Sequence, residues 1–156
     1  MTRLRADAVA CWVLKSATPP EGIGAGWTAG AALVVDRCVR PSYRLGEMRP
    51  GAPCLLWISG RDRPGVHALG ELAGMPHDGP GGPAVPVRLV LLRAHLPRAD
   101  LVADPVFAGA EVVRMPAGSN PSWLSPDQYA VVLARLPGSM GACVATGSGG
   151  ERSAGS

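Results

Sequence analysis

Apolar residues fill the run from Val9 to Ser16 almost without a break, and it closes on Lys15-Ser16, the pattern of a buried β-strand. Ahead of it, residues 1–8 predict a frayed start. Thr18 to Gly26 is a loop rich in Pro and Gly that delivers Trp27 to a segment where Ala31, Leu33, Val34 and Val35 predict a short helix opened by Thr28. Ser42 caps a further helical turn reaching Met48, which Pro50 and Gly51 stop. Cys54 to Ser59 and Val66 to Leu72 are apolar strands, and the turn formers between Gly60 and Gly65 join them as a β-hairpin. Residues 74–83 form a Gly/Pro-rich insertion without periodicity, after which Val85 to Leu92 resumes the β pattern. Pro97 to Asp104 reads as helical, bounded by Pro105, and Glu111 to Met115 as one more short strand. The clearest local signal is Ser125-Pro126-Asp127-Gln128, with Ser at the N-cap, Pro at the first helical position, an acid in the first turn and Gln where a capping box needs it. A final helix follows to about Leu136. Pro137 and Gly138 end it, and the Gly/Ser-rich residues 138–156 predict a disordered tail.

Strands interleaved with short helices, without an internal repeat, predict an α+β fold in one domain over residues 9–137. A chain of 156 residues can bury enough surface for a single core. The 21 Gly and 16 Pro argue for many turns and against long helices. A formal charge of +3 is mild for a protein that coats nucleic acid regardless of sequence, yet its distribution is uneven. Arg37, Arg40, Arg44, Arg49, Arg61 and Arg63 crowd one stretch against only Glu47 and Asp62, which suits either a basic face or an ordinary solvated surface. Lys15 is the only lysine, so planar guanidinium groups carry nearly all the positive charge.

Several chemistries find no support. Cys11, Cys38, Cys54 and Cys143 form no Cys-x-x-Cys and have no His at finger spacing, so no metal is expected. Gly22-Ile-Gly-Ala-Gly26 lacks the spacing of a dinucleotide loop and no phosphate-binding Gly-Lys motif exists, so no nucleotide cofactor is expected either. His67, His77 and His95 lie far apart without a nucleophile elbow. No stretch approaches the roughly 18 apolar residues of a membrane span, and no long apolar run precedes a cleavage site at the N-terminus, which predicts a cytoplasmic protein with no membrane partner.

Polar groups recur beside aromatics at strand ends and loops: Lys15-Ser16, Trp27, Ser42-Tyr43, Trp57-Ile-Ser59 and Ser119-Asn120-Pro-Ser-Trp123. Recognition of an extruded base needs that mixture, with π-faces above and below the ring and hydroxyl, amide or backbone groups on its edge. An indole can equally be a core side chain whose N–H finds a backbone partner. Trp12 and Trp123 are read as core residues, Trp27 and Trp57 as pocket walls.

The order of these motifs resembles the EVE domain family. Trp12-Val-Leu-Lys-Ser16, Trp27, Val39-Arg-Pro-Ser-Tyr-Arg44 and Met48-Arg-Pro-Gly51 look like its first half. Leu55-Leu-Trp-Ile-Ser59 with Pro64-Gly-Val-His-Ala-Leu-Gly-Glu-Leu72 is similar to its central hairpin, and Ser119-Asn-Pro-Ser-Trp-Leu-Ser125 to its closing loop. The resemblance spans Cys11 to Leu136 and rests on motif order, since no single motif is specific. It implies a PUA-like mixed, partly open β-barrel flanked by short helices, related to YTH domains and holding a modified-base pocket. Lys15 and Ser16 would form the floor, Trp27 and Trp57 the walls, and Ser59 a polar contact. Ser119 and Asn120 would reach in from the closing loop, and Arg40, Ser42 and Tyr43 from the rim. Many members carry a Trp shortly before their Val-Arg pair, where this chain has Asp36-Arg37-Cys38, so its aromatic cage would be built differently.

Two functions follow as expectations. The first is a binding domain without enzymatic activity that recognises a methylated or otherwise altered base in DNA or RNA. The second is a hydrolase acting on a modified nucleoside, as in the related ASCH-type domains, with Lys15 as general base and Glu71 as its carboxylate.

Overall fold

The computed structural model describes residues 4–137, so the predicted tail lies outside the described residues. Its strands are β1 (Cys11–Ser16), β2 (Ala32–Cys38), β3 (Pro53–Ile58), β4 (Gly65–Leu72), β5 (His77–Gly79), β6 (Gly82–Pro97) and β7 (Ser122–Leu124). They form one sheet in the order β2-β6-β4-β3-β1-β7, with β5 hydrogen-bonded to β6. All neighbours are antiparallel except β1 and β3, which run parallel with Lys15 beside Trp57 and Ser16 beside Ile58. The two ends of the sheet come back toward each other. Arg40 N–H donates to the Asn120 carbonyl at 2.7 Å and Asn120 Nδ2 to the Cys38 carbonyl at 3.3 Å, which ties the exit of β2 to the entry of β7. The result is the expected mixed α+β architecture, one curled, partly open sheet flanked by short helices.

Successive residues of a strand face opposite sides, and here both sides are covered. Trp12, Leu14, Cys54, Leu56, Ile58, Leu72, Val85, Val87 and Leu89 gather with Met48 on the inner face. Cys11, Val13, Leu55, Trp57, Val66 and Leu69 meet Leu101, Phe107 and Val132 on the other, beneath α2 (Arg98–Val102), α3 (Pro105–Ala108) and α5 (Pro126–Ala134). Double coverage explains why β1 and β3 read as unbroken apolar runs rather than alternating ones.

The hairpin of β3 and β4, the helical turn capped by the Ser42 hydroxyl, α2 and the Ser125/Gln128 capping box stand where the sequence places them. Four assignments are corrected. The helix expected after Thr28 is instead a turn through Gly30, at φ +84°, leading into β2. Leu33 and Val35 sit opposite Leu89 and Val87 while Val34 points to solvent, so the true period is two, as stiff β-branched residues favour. The strand expected at Glu111 to Met115 is the single-turn helix α4 (Glu111–Arg114), closed by Met115 N–H on the Glu111 carbonyl at 2.7 Å. The supposed loop at 18–26 contains another single turn, α1 (Pro20–Ile23), opened by proline, and the aperiodic insertion contains β5. Of the predicted frayed start, residues 1–3 lie outside the described residues; further on, Ala6–Ala8 form a 3-10 turn, Leu4 packs on the inner core, and its N–H donates to the Tyr43 hydroxyl at 2.6 Å.

Candidate functional site

Parallel pairing brings the carboxyl ends of β1 and β3 side by side, and Ser59 N–H extends the pairing by donating to the Ser16 carbonyl at 2.9 Å. At this end, against the seam of the barrel, lies a cavity of about 200 Å³ lined by Lys15, Ser16, Ala17, Arg40, Ser59, Pro116, Gly118 and Asn120. Of the residues singled out in the sequence, Lys15, Ser16, Arg40, Ser59 and Asn120 are thus brought together from four separate stretches of chain.

Each lining residue has a definable job. The Asn120 amide works as a splice: Oδ1 accepts from Lys15 N–H at 3.1 Å, and Nδ2 donates to the carbonyls of Lys15 and Cys38 at 3.3 Å each. It replaces strand pairing where the sheet fails to close, so its amide is committed to the fold rather than offered to a ligand. Lys15 Nζ donates to the carbonyls of Pro116 and Gly118 at 3.1 Å each, leaving one of its three N–H groups for the cavity. Burial lowers the Lys15 pKa; Glu111 opposes this, while Arg40 and Arg44 add to it. Ser16 Oγ donates to the Thr18 carbonyl at 2.9 Å and accepts from Thr18 N–H at 3.0 Å, and Ser59 Oγ donates to the Ser16 carbonyl at 3.3 Å. Arg40 is exposed at the rim with its guanidinium in no hydrogen bond or ion pair among the described residues.

Behind the closing loop stands an ion pair that sequence reasoning missed. Arg44 grips Glu111 with two bonds, Nη1 to Oε1 at 2.8 Å and Nη2 to Oε2 at 2.7 Å, and donates a third to the Pro121 carbonyl at 3.0 Å. Ser122 Oγ donates to Glu111 Oε1 at 2.8 Å. Burial pushes the Glu111 carboxyl up, but the Arg44 and Ser122 bonds outweigh it and hold the pKa below its ordinary value. The partners are 67 residues apart, and nothing local in either segment signals the other.

The aromatic walls are not there. Trp57 is 3% exposed and stacks on Phe107 with ring centroids 6.0 Å apart, because β3 turns it beneath the helices. Trp27 packs against the inner core and donates its Nε1 to the Ala31 carbonyl at 2.8 Å, which fixes the turn into β2. Ser42 serves as a helix cap and Tyr43 as the anchor of Leu4, so neither lines the cavity; nor does Ser119, although both its neighbours do. Glu71 pairs with Pro53 while Lys15 pairs with Trp57, a separation of about 13 Å along β3. The Lys15–Glu71 pair is therefore not assembled. The arginine stretch also divides: Arg44 is buried, Arg63 pairs with Glu21 at 3.0 Å, Arg49 donates to backbone carbonyls, and Arg37 turns inward, leaving Arg40 and Arg61 as the open cations. What remains is a small polar cavity with Lys15 in its wall and Arg40 at its rim.

The chain matches no family model and no curated protein. Among solved structures it is similar to a hypothetical protein from Leishmania major, at 19% identity and a TM-score of 0.62 over 83% of this chain and 96% of that one. A Pseudomonas putida protein superposes with a TM-score of 0.61 at 15% identity, covering 80% of this chain and 98% of that one. Human THYN1, solved in complex with 5-methylcytosine-containing DNA, superposes more loosely, with a TM-score of 0.45 at 14% identity over 81% and 98% of the two chains. At these identities the first two likenesses show the fold alone.

Proposed function

We propose that the chain is a nucleic-acid-binding domain that receives an altered base, a methylated or otherwise modified cytosine or adenine, in the cavity at the barrel seam. The observation that carries this reading is the convergence of Lys15, Ser16, Arg40 and Ser59 on one small concavity. At about 200 Å³ it is below the roughly 300–1,000 Å³ of sites for drug-sized ligands, which favours a single ring. With no aromatic side chain in its lining, stacking falls to the planar Arg40 guanidinium, a surface that bases use as readily as aromatic faces. The remaining Lys15 N–H and the lone pairs of Ser59 Oγ are available to a base edge. Arg40 at the rim and the exposed Arg61, two residues beyond Ser59 in the chain, add phosphate contacts, which makes affinity salt-dependent. Hydrolysis by a Lys15–Glu71 pair has no comparable geometric support, since the register keeps the two apart.

The test is fluorescence anisotropy with labelled oligonucleotides carrying one 5-methylcytosine or N6-methyladenine, or neither, titrated with wild type and Arg40→Ala at several salt concentrations. Modified strands should bind more tightly than their unmodified counterparts, affinity should fall with salt, and Arg40→Ala should weaken binding about tenfold, a stacking loss at the lower end of the usual range. Equal affinity for modified and unmodified strands would refute the reading.

A further inference from the structure

Beside the cavity, Met115, Pro116 and Ala117 form a run of three exposed apolar residues, with Met115 at 54% exposure. Such a run on a surface is out of place unless something uses it. Its backbone is tied down from inside. Gly118 N–H donates to the Met115 carbonyl at 2.9 Å, closing a turn, and Lys15 Nζ holds the carbonyls of Pro116 and Gly118. With those carbonyls drawn inward, the apolar side chains stand outward on a fixed frame. A Cβ on Gly118 would lie 3.0 Å from the Met115 carbonyl oxygen, so the turn is closely packed as well as bonded. Exposed Arg114 precedes it, and Arg40 lies on the cavity rim.

From this placement we infer that the Met115–Gly118 turn is a wedge that enters duplex DNA and fills the gap left in the stack when the adjacent cavity takes a base. The inference rests on the reading of the cavity as a base receptor and adds that the substrate is double-stranded. Extruding a base from a duplex leaves an apolar slot between its neighbours, and proteins that distort DNA commonly insert Met, Pro or similar side chains between base steps. A flexible thioether suits a slot of irregular shape. Arg114 and Arg40 then meet phosphates flanking the slot. The Lys15 ammonium couples the two halves, lining the receptor and holding the wedge with the same group.

The experiment measures affinity for a modified oligonucleotide as a single strand and as a duplex, using wild type, Met115→Ala and Met115→Leu. Met115 is exposed, so both variants should melt as wild type does. Met115→Ala should lose roughly tenfold in duplex affinity, equivalent to about 1.4 kcal/mol, and less than twofold on the single strand, which has no stack to fill. Met115→Leu should restore duplex binding. A 2-aminopurine next to the modified base should brighten with wild type and much less with Met115→Ala. Equal losses on both forms, or no loss on either while wild type binds the modified base, would overturn the wedge and leave the receptor standing. Failure of wild type to prefer the modified base in either form would overturn the receptor itself, and the wedge with it.

Discussion

Removing Glu111 is the sharpest perturbation of the seam. Its side chain is 19% exposed and that of Arg44 11%, so Glu111→Ala leaves a largely buried guanidinium without a counter-ion, held only by neutral partners, the Pro121 carbonyl and Tyr43. Breaking a buried pair from one side costs about 3–5 kcal/mol, and partial exposure puts this case near the lower bound. The orphaned Ser122 hydroxyl adds about 1 kcal/mol. A loss of about 4 kcal/mol lowers the melting temperature by roughly 10 °C in a domain of this size, while typical stabilities of about 5–15 kcal/mol leave it folded at 25 °C. The sign with pH also follows. The folded-state pKa of Glu111 is depressed, so its contribution is complete above the unfolded value of about 4.3 and is lost as pH falls through the folded one. Urea denaturation of wild type and Glu111→Ala should differ by about 4 kcal/mol at pH 7, and the gap should narrow as pH drops below about 4. The double variant Arg44→Met/Glu111→Leu should be much less destabilised than the sum of its single changes, because no charge is left unpaired. A gap under about 0.5 kcal/mol at pH 7, or one that widens in acid, would refute the reasoning.

Trp57→Ala should cost about 3–5 kcal/mol by denaturation while the folded fraction binds nucleic acid as wild type does, since the indole sits in the core against Phe107. Asn120→Ala should raise the hydrogen-exchange rate of the Lys15 amide and weaken base binding together, because one side chain closes the seam and shapes the cavity. His67 is buried against the Arg63 carbonyl and stacked on His95, and burial, aided by His95 and Arg63, lowers its pKa against the opposing pull of that carbonyl and Glu21. Its contribution is therefore complete above the unfolded value of about 6.5. Melting temperature should fall as pH drops below that value, and His67→Gln should flatten this part of the profile.

Much of the scaffold was legible in the sequence because it rests on local chemistry. Double-sided apolar runs gave β1, β3 and β4, and the hydroxyl caps at Ser42 and Ser125 gave the turn and the final helix. The errors share a cause in that period and propensity cannot decide short segments: Ala31 to Val35 satisfies both a helical and a strand template over so few residues, and a single turn such as α4 has no period at all. The lining of the cavity was legible where strand ends supply it, at Lys15, Ser16 and Ser59. Trp57 was misplaced because an indole next to a polar strand end looks alike whether it faces a pocket or a helix layer. Which of the two it faces depends on α3, packed from 50 residues further along the chain. The Arg44–Glu111 pair was invisible for the same reason, since its partners meet only after the barrel has formed.

Backbone amide shifts during titration of the protein with a modified mononucleoside, such as 5-methylcytidine or N6-methyladenosine, test the central claim most directly. The account predicts saturable changes at Lys15, Ser16, Arg40, Ser59, Gly118 and Asn120, larger than those caused by the unmodified nucleoside. Changes confined to another surface, such as the groove beside Asp127 and Ala134 on α5, or the absence of any saturable change at the seam, would contradict it.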